Sequence, residues 1–247
     1  MEFQPNIKAK RRCPKWKDTK PYPSDIKDKW KAVFTGFSIE VSDTDGNNFQ
    51  SLYECGCFGK GTHSRGAPQN FKDHANSSDR GEFKEILVLD LEESFFLAFF
   101  AEALDIVDQE NKPLTRDETF RKFETIKPNF AYTLAAYLHL KSKGWVIKSG
   151  TKFGGDFLVY KQGMRFYHAS FVVVVSKGEV NLQPKYLQGM QRVAETSDKD
   201  ILFLSVHAPL ETPTSELCNY LHTFKVTETI PRRFDLKKHV QNKQNST

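Results

Sequence analysis

The chain has 247 residues, 38% of them apolar and 21 of them phenylalanine, which excludes a disordered polymer and leaves room for one large domain or two small ones. The net charge of +5 permits a polyanionic partner without requiring one. The longest apolar run, residues 95–101, is closed by Glu102 and is too short to span a bilayer, and residues 1–30 lack the apolar centre of a signal peptide. The expectation is a soluble intracellular protein with no membrane insertion.

Residues 1–30 hold nine Lys/Arg against four Asp/Glu, with a tight basic cluster at 8–12. Pro14, Pro21 and Pro23 discourage regular structure there, so this stretch is expected to be a basic disordered tail. A strand is predicted over 32–41, then a turn at 43–48, a short helix at 49–56 and a Gly-rich basic loop at 57–69. Cys55 and Cys57 stand only two apart, unlike the usual zinc pair, although His63 and His74 follow. They read as structural cysteines, and no metal or other cofactor is expected.

Three helices are predicted in the middle. Asp90 and Glu93 have capping-box spacing ahead of an apolar run, predicting a helix over 89–109. Thr115 and Glu118 repeat the signal for 114–126, and the third helix, 129–144, ends on Lys141, Lys143 and Gly144. After Gly144 the period changes. Strands are predicted at 145–150, 156–161, 166–176, 200–206 and 220–230, with a helix at 185–197 between the third and fourth. The unalternating residues 171–175 indicate a central strand covered on both faces. The fold class is therefore α+β: an N-terminal α+β domain, 31–144, rich in helix, followed by a mixed-sheet domain with flanking helices, 145–235, and a polar tail, 236–247.

The stretch around Tyr160 and His168 raises a functional question. If residues 163–165 form a three-residue hairpin loop, Gln162 pairs with Phe166 and Tyr160 stands opposite His168 on one face. A two-residue loop would move His168 to the other face. The pair is either an ordinary cross-strand contact or part of an acid–base site.

Residues 154–175, with the flanks 137–153 and 192–206, resemble the catalytic domain of the tRNA-splicing (tRNA-intron) endonucleases, a restriction-endonuclease-like fold. The upstream pieces 52–66 and 89–100 resemble the eukaryotic catalytic subunit that cuts the 5′ splice site, and the match runs over roughly residues 31–235. The resemblance assigns Tyr160 as general base, His168 as general acid and Lys199 as transition-state stabiliser. It also implies an RNA clamp at Arg192 and at Arg233 and Phe234, where close relatives carry tryptophan. The partners implied are pre-tRNA, a second catalytic subunit and two structural subunits. The location implied is the nucleus, or in some lineages the mitochondrial surface.

The chemistry asks for these residue types. RNA is cut without metal when its 2′-OH attacks the adjacent phosphorus, given a base, an acid for the 5′-oxygen and a cation for the phosphorane. Histidine moves protons near neutral pH, and such a group contributes ~10²–10⁴ in rate. Lysine offers a compact positive charge to the developing oxyanion. A phenol of pKa ~10 serves as a base only if nearby cations lower it. Two rivals remain open. One is a metal-dependent nuclease using Asp156 and the Glu-x-Lys of residues 81–85; the other is a non-catalytic RNA-binding or scaffold subunit. His139, His207 and His222 read as structural or surface residues.

Overall fold

Trp30, Ala32 and Phe34 alternate with more exposed residues, and this period of two makes strand β1, Trp30–Phe34. Strand β2, Ile39–Ser42, returns antiparallel to it, with Ala32 opposite Val41. The single strand predicted over 32–41 is thus a hairpin. Gly36 turns the chain at φ +103°, a left-handed conformation that favours glycine, and Thr35 N–H donates to the Ser38 carbonyl at 3.0 Å. The computed structural model describes residues 7–10, 29–42, 52–53, 56–62, 86–164, 166–180, 183–209 and 218–231.

Within that range β3 is Lys60–Gly61, β4 is Ile86–Leu89 and β5 is Leu104–Val107. They complete a mixed five-stranded sheet in the order β3-β4-β2-β1-β5, with β1 and β5 parallel. The N-terminal half is therefore α+β, as expected for the domain over 31–144, with this sheet beside its helices. Helix α1, Leu91–Phe99, begins at the predicted Asp90 capping box, where Glu93 Oε2 accepts the Asp90 amide at 3.3 Å. It stops far short of residue 109. Glu102 takes a left-handed φ of 53°, and the apolar stretch that follows pairs with β1 as β5.

Helix α2, Arg116–Ile126, carries the Thr115/Glu118 capping box as read. Thr115 N–H donates to Glu118 Oε2 at 2.9 Å, and Glu118 N–H donates to Thr115 Oγ1 at 3.3 Å. Helix α3, Phe130–Ser142, is buried on nearly all sides. It packs against α1 and α2 and against the second sheet.

That second sheet consists of β6, Val146–Ser149, β7, Phe157–Tyr160, β8, Phe171–Lys177, β9, Asp200–His207, and β10, Lys225–Thr229. The order is β10-β9-β8-β7-β6, antiparallel except for β8 and β9. Helix α4, Pro184–Thr196, makes the crossover between those two, because parallel neighbours need a long connection. The five strands and the crossover helix match the sequence reading. The third begins at Phe171 rather than 166, and the last at Lys225, after a 3-10 turn over Leu221–Thr223.

One face of the second sheet, with Phe157, Val159, Phe171, Val173, Leu202 and Leu204, joins the core of α1, α2, α3 and the first sheet. The other face, with Leu158, Tyr160, Val172, Ile201 and Phe203, packs on Met190 and Ala194 of α4. One apolar core thus includes residues on both sides of residue 144.

Charge as well as apolar packing crosses the halves. Lys148 Nζ lies 2.8 Å from Glu93 Oε1 across them, and within the N-terminal half Lys127 Nζ lies 2.6 Å from Glu92 Oε1. Lys141 is nearly fully buried, with Nζ 4.4 Å from the Phe58 ring centre and 5.7 Å from those of Phe96 and Tyr137. Burial lowers its pKa to about 8.

Candidate active site

Tyr160 closes β7, and its register partners explain its surroundings. Phe157 pairs with Val173 and Val159 with Phe171, so the ladder points Tyr160 at Ser170, not at His168. The register is displaced by two residues from the expected pairing, and His168 lies in the connection before β8. The three-residue loop is replaced by a longer connection, 161–170. Within it Gly163 accepts from the amides of Phe166 and Tyr167 at 3.2 and 3.1 Å. Gly163 has φ +105°, and a Cβ there would lie 2.6 Å from Cys57 Sγ, so glycine is required twice over.

The phenol of Tyr160 is buried on the α4 face, in one cluster with Cys57, Ala169 and Ala194. Burial, with a smaller effect of Cys57, pushes its pKa up to about 12. This is opposite to the lowering that a resting general base requires. His168 is exposed, and its backbone N–H donates to the Lys8 carbonyl at 3.0 Å.

Lys199 sits where α4 hands over to β9. Its N–H donates to the Ala194 carbonyl at 2.9 Å, and Nζ donates to the Ser197 carbonyl at 2.7 Å. The same ammonium lies 4.6 Å from the centre of the Phe153 ring. Partial burial lowers its pKa. It is a half-buried lysine rather than a fully solvated one.

Three strand ends converge here: the C-terminal end of β7 and the N-terminal ends of β8 and β9. Asp200 N–H donates to the Ser170 carbonyl at 3.0 Å, which ties the Lys199 turn to the His168 segment. Asp198 reports on the same proximity. The Lys8 hydrogen bond, first, and then the charges of Lys8, Lys199 and His168 hold its carboxyl below the usual range. Tyr160, closing β7, His168, just before β8, and Lys199, just before β9, thus lie at the same end of the sheet.

Arg192 is exposed on α4, turned away from the inward Met190 and Ala194. It lines a groove of about 520 Å³ with Lys185, Gln188 and Glu195. The structure brings it to none of the other predicted site residues, and Arg233 and Phe234 lie outside the described residues. Asp156, which the metal-dependent alternative needs, accepts the Val175 amide on Oδ2 at 2.8 Å. Among the described residues no three His, Cys, Asp or Glu side chains gather as a metal site. Cys57 is buried, while Cys55, His63, His74 and the Glu-x-Lys of 81–85 lie outside the described residues.

Residues 130–212 match the tRNA intron endonuclease catalytic C-terminal domain, and residues 31–120 match the tRNA intron endonuclease N-terminal domain. The chain belongs to the tRNA intron endonuclease family. It is 31% identical over 135 residues to the tRNA-splicing endonuclease of Methanopyrus kandleri, covering 55% of this chain and 74% of that protein. It is 36% identical over 140 residues to the tRNA-splicing endonuclease subunit Sen2 of Rattus norvegicus, covering 53% of this chain and 30% of that protein. With the Gallus gallus Sen2 it shares 34% identity over 160 residues, 61% of this chain and 34% of the relative. The chain spans about a third of the length of these two Sen2 relatives. Among the described residues no helix of this family member is long and apolar enough to cross a membrane.

Two further residues touch this end of the sheet without a local sequence signal that singles them out. Lys8 lies in the basic segment, and its contacts with His168 and Asp198, about 160–190 residues away, leave no local pattern. Phe153 lies in the family flank, an aromatic residue in a Gly-rich connection between two strands.

Proposed function

We propose that this chain is a catalytic subunit of a tRNA-splicing endonuclease and cuts pre-tRNA at the 5′ exon–intron junction. The observation that carries this reading is the convergence of Tyr160, His168 and Lys199 on one end of the sheet, in a chain matching both domains of the family. In this reading the 2′-OH attacks the adjacent phosphorus and the 5′-oxygen leaves, giving a 2′,3′-cyclic phosphate and a 5′-OH. His168, exposed and free to meet the leaving oxygen, delivers a proton to it. Lys199 places its ammonium against the phosphorane oxygens. Tyr160 completes the set from below. Bound substrate and its neighbouring cations lower the phenol's pKa, and the Tyr160 phenolate takes the 2′-OH proton as that oxygen attacks.

The proposal includes an assembly with a second catalytic and two structural subunits, working in the nucleus on pre-tRNA, with a clamp formed by Arg192, Arg233 and Phe234. Strand β10 supports the assembly reading. It is a sheet edge, and its Thr227 and Thr229 are exposed, a form suited to pairing with a partner's strand.

The test is cleavage of an intron-containing pre-tRNA by the purified chain with its copurifying subunits in EDTA. The expected products end in 2′,3′-cyclic phosphate and begin with 5′-OH. A strict requirement for a divalent metal, or 3′-OH ends, would overturn the mechanism.

A further inference from the structure

The basic segment expected to be a disordered tail is, over Ile7–Lys10, held beside the site by an isolated β-bridge. Ala9 bridges Tyr167 antiparallel, Lys10 N–H donates to the Phe166 carbonyl at 2.8 Å, and His168 N–H donates to the Lys8 carbonyl at 3.0 Å. His168 precedes β8, so the main sheet gives its backbone no ladder partner, and this short segment supplies one. Lys8 and Lys10 fall on one side of the segment, by the period of two. The Lys8 ammonium forms an ion pair with Asp198.

Both partners of that pair are about half exposed or more, at 47% and 63%, so the pair contributes little to global stability. Its consequence is local. Asp198 immediately precedes Lys199, in a left-handed backbone of φ 56° that holds the carboxylate in this corner. Left without Lys8, that carboxylate would draw the Lys199 ammonium toward itself and repel an incoming phosphodiester.

We propose that Lys8-Ala9-Lys10 is a positioning segment of the site, whose backbone fixes the His168 segment and whose Lys8 neutralises Asp198 so that Lys199 faces the substrate phosphate. This rests on the function proposed above. Lys8 acts through Asp198 and Lys199 and touches no reacting atom.

The experiment follows cutting at the 5′ junction of an intron-containing pre-tRNA transcript by the full chain with its copurifying subunits. Lys8→Met should slow the single-turnover step about fivefold, the scale of one exposed ion pair. Asp198→Asn in that background should recover most of the loss, because asparagine tolerates the left-handed backbone and removes the unbalanced charge. Lys10→Pro, which deletes the donor to Phe166, should slow cutting without rescue by Asp198→Asn. Wild-type rates for Lys8→Met, or slowing that Asp198→Asn fails to rescue, would overturn the proposal; the second result would mean that Lys8 binds RNA directly. His168→Ala is assayed alongside: if it still cuts, the proposed function fails, and if it is dead while Lys8→Met is normal, only this inference fails.

Discussion

Glu93 and Lys148 tie the two halves of the molecule together through a salt bridge of 2.8 Å, with their side chains only 3% and 11% exposed. Glu93 Oε2 also accepts the Gly59 amide at 3.0 Å, and Lys148 donates to the Gly59 carbonyl at 2.8 Å, so both charges have further partners. Removing one member strands the other charge in a buried place. Lys148→Met should therefore destabilise the chain by about 3–5 kcal/mol, and the double variant Glu93→Leu, Lys148→Met by less. Urea denaturation of the three proteins measures this, and equal losses in the single and double variants would contradict it.

Glu228 anchors the edge strand β10 to α3 by accepting from His139 Nε2 at 3.1 Å and Lys143 Nζ at 2.8 Å. The His139 hydrogen bond, then Lys143, hold its pKa down at about 2. A carboxyl whose folded pKa lies below its unfolded value of 4.5 adds stability above that value and loses it as pH falls toward 2. With partial solvent screening the contribution is on the order of 1 kcal/mol. Glu228→Gln should lower stability at pH 7 by that amount and converge with the parent protein near pH 2. Parallel stability curves across the acid range would refute the assignment.

Tyr160 titrates in the opposite sense. Its folded pKa of about 12 exceeds the unfolded 10, so the native state holds the proton longer and stability falls as pH rises from 10 to 12. The cutting rate should accordingly show no limb from Tyr160 ionisation below about pH 10 in the free protein. Comparing the ultraviolet phenolate titration of the parent chain with that of Tyr160→Phe isolates this one phenol. A missing component titrating below pH 9 would show that cations govern it after all.

The exposed groove beside Arg192 serves, in the proposed assembly, the partner's cleavage site. Stacking a base contributes roughly 1–3 kcal/mol, so losing the clamp slows a cut about tenfold to a hundredfold. Arg192→Ala with Phe234→Ala should weaken cutting at the 3′ junction and spare the 5′ junction. Equal slowing at both would mean general RNA affinity instead.

Local signals carried most of the fold. The capping boxes at Asp90 and Thr115 start helices where they were read, and the apolar run 171–175 lies in a central strand between β7 and β9. Errors arose where apolar residues suit either period. Residues 104–107 continue an apolar pattern that reads as helix, yet parallel pairing with β1 makes them a strand. The turn at Gly36 was hidden inside one apolar stretch for the same reason. At the site the connection after Tyr160 is longer than a tight hairpin loop, and its Gly163 lies against Cys57, more than a hundred residues away, which leaves no local signal. The pairing of Ile7–Lys10 with Phe166–His168 is longer in range still, so composition alone made it a tail.

The most direct measurement is a time course of both half-products from one end-labelled, intron-containing pre-tRNA, using complexes that carry His168→Ala. A positioned acid contributes ~10²–10⁴ in rate, so the 5′ cut should fall by at least about a hundredfold while the complex stays assembled and the 3′ cut persists. Wild-type release of both half-products by the His168→Ala complex would contradict the catalytic role assigned to this chain.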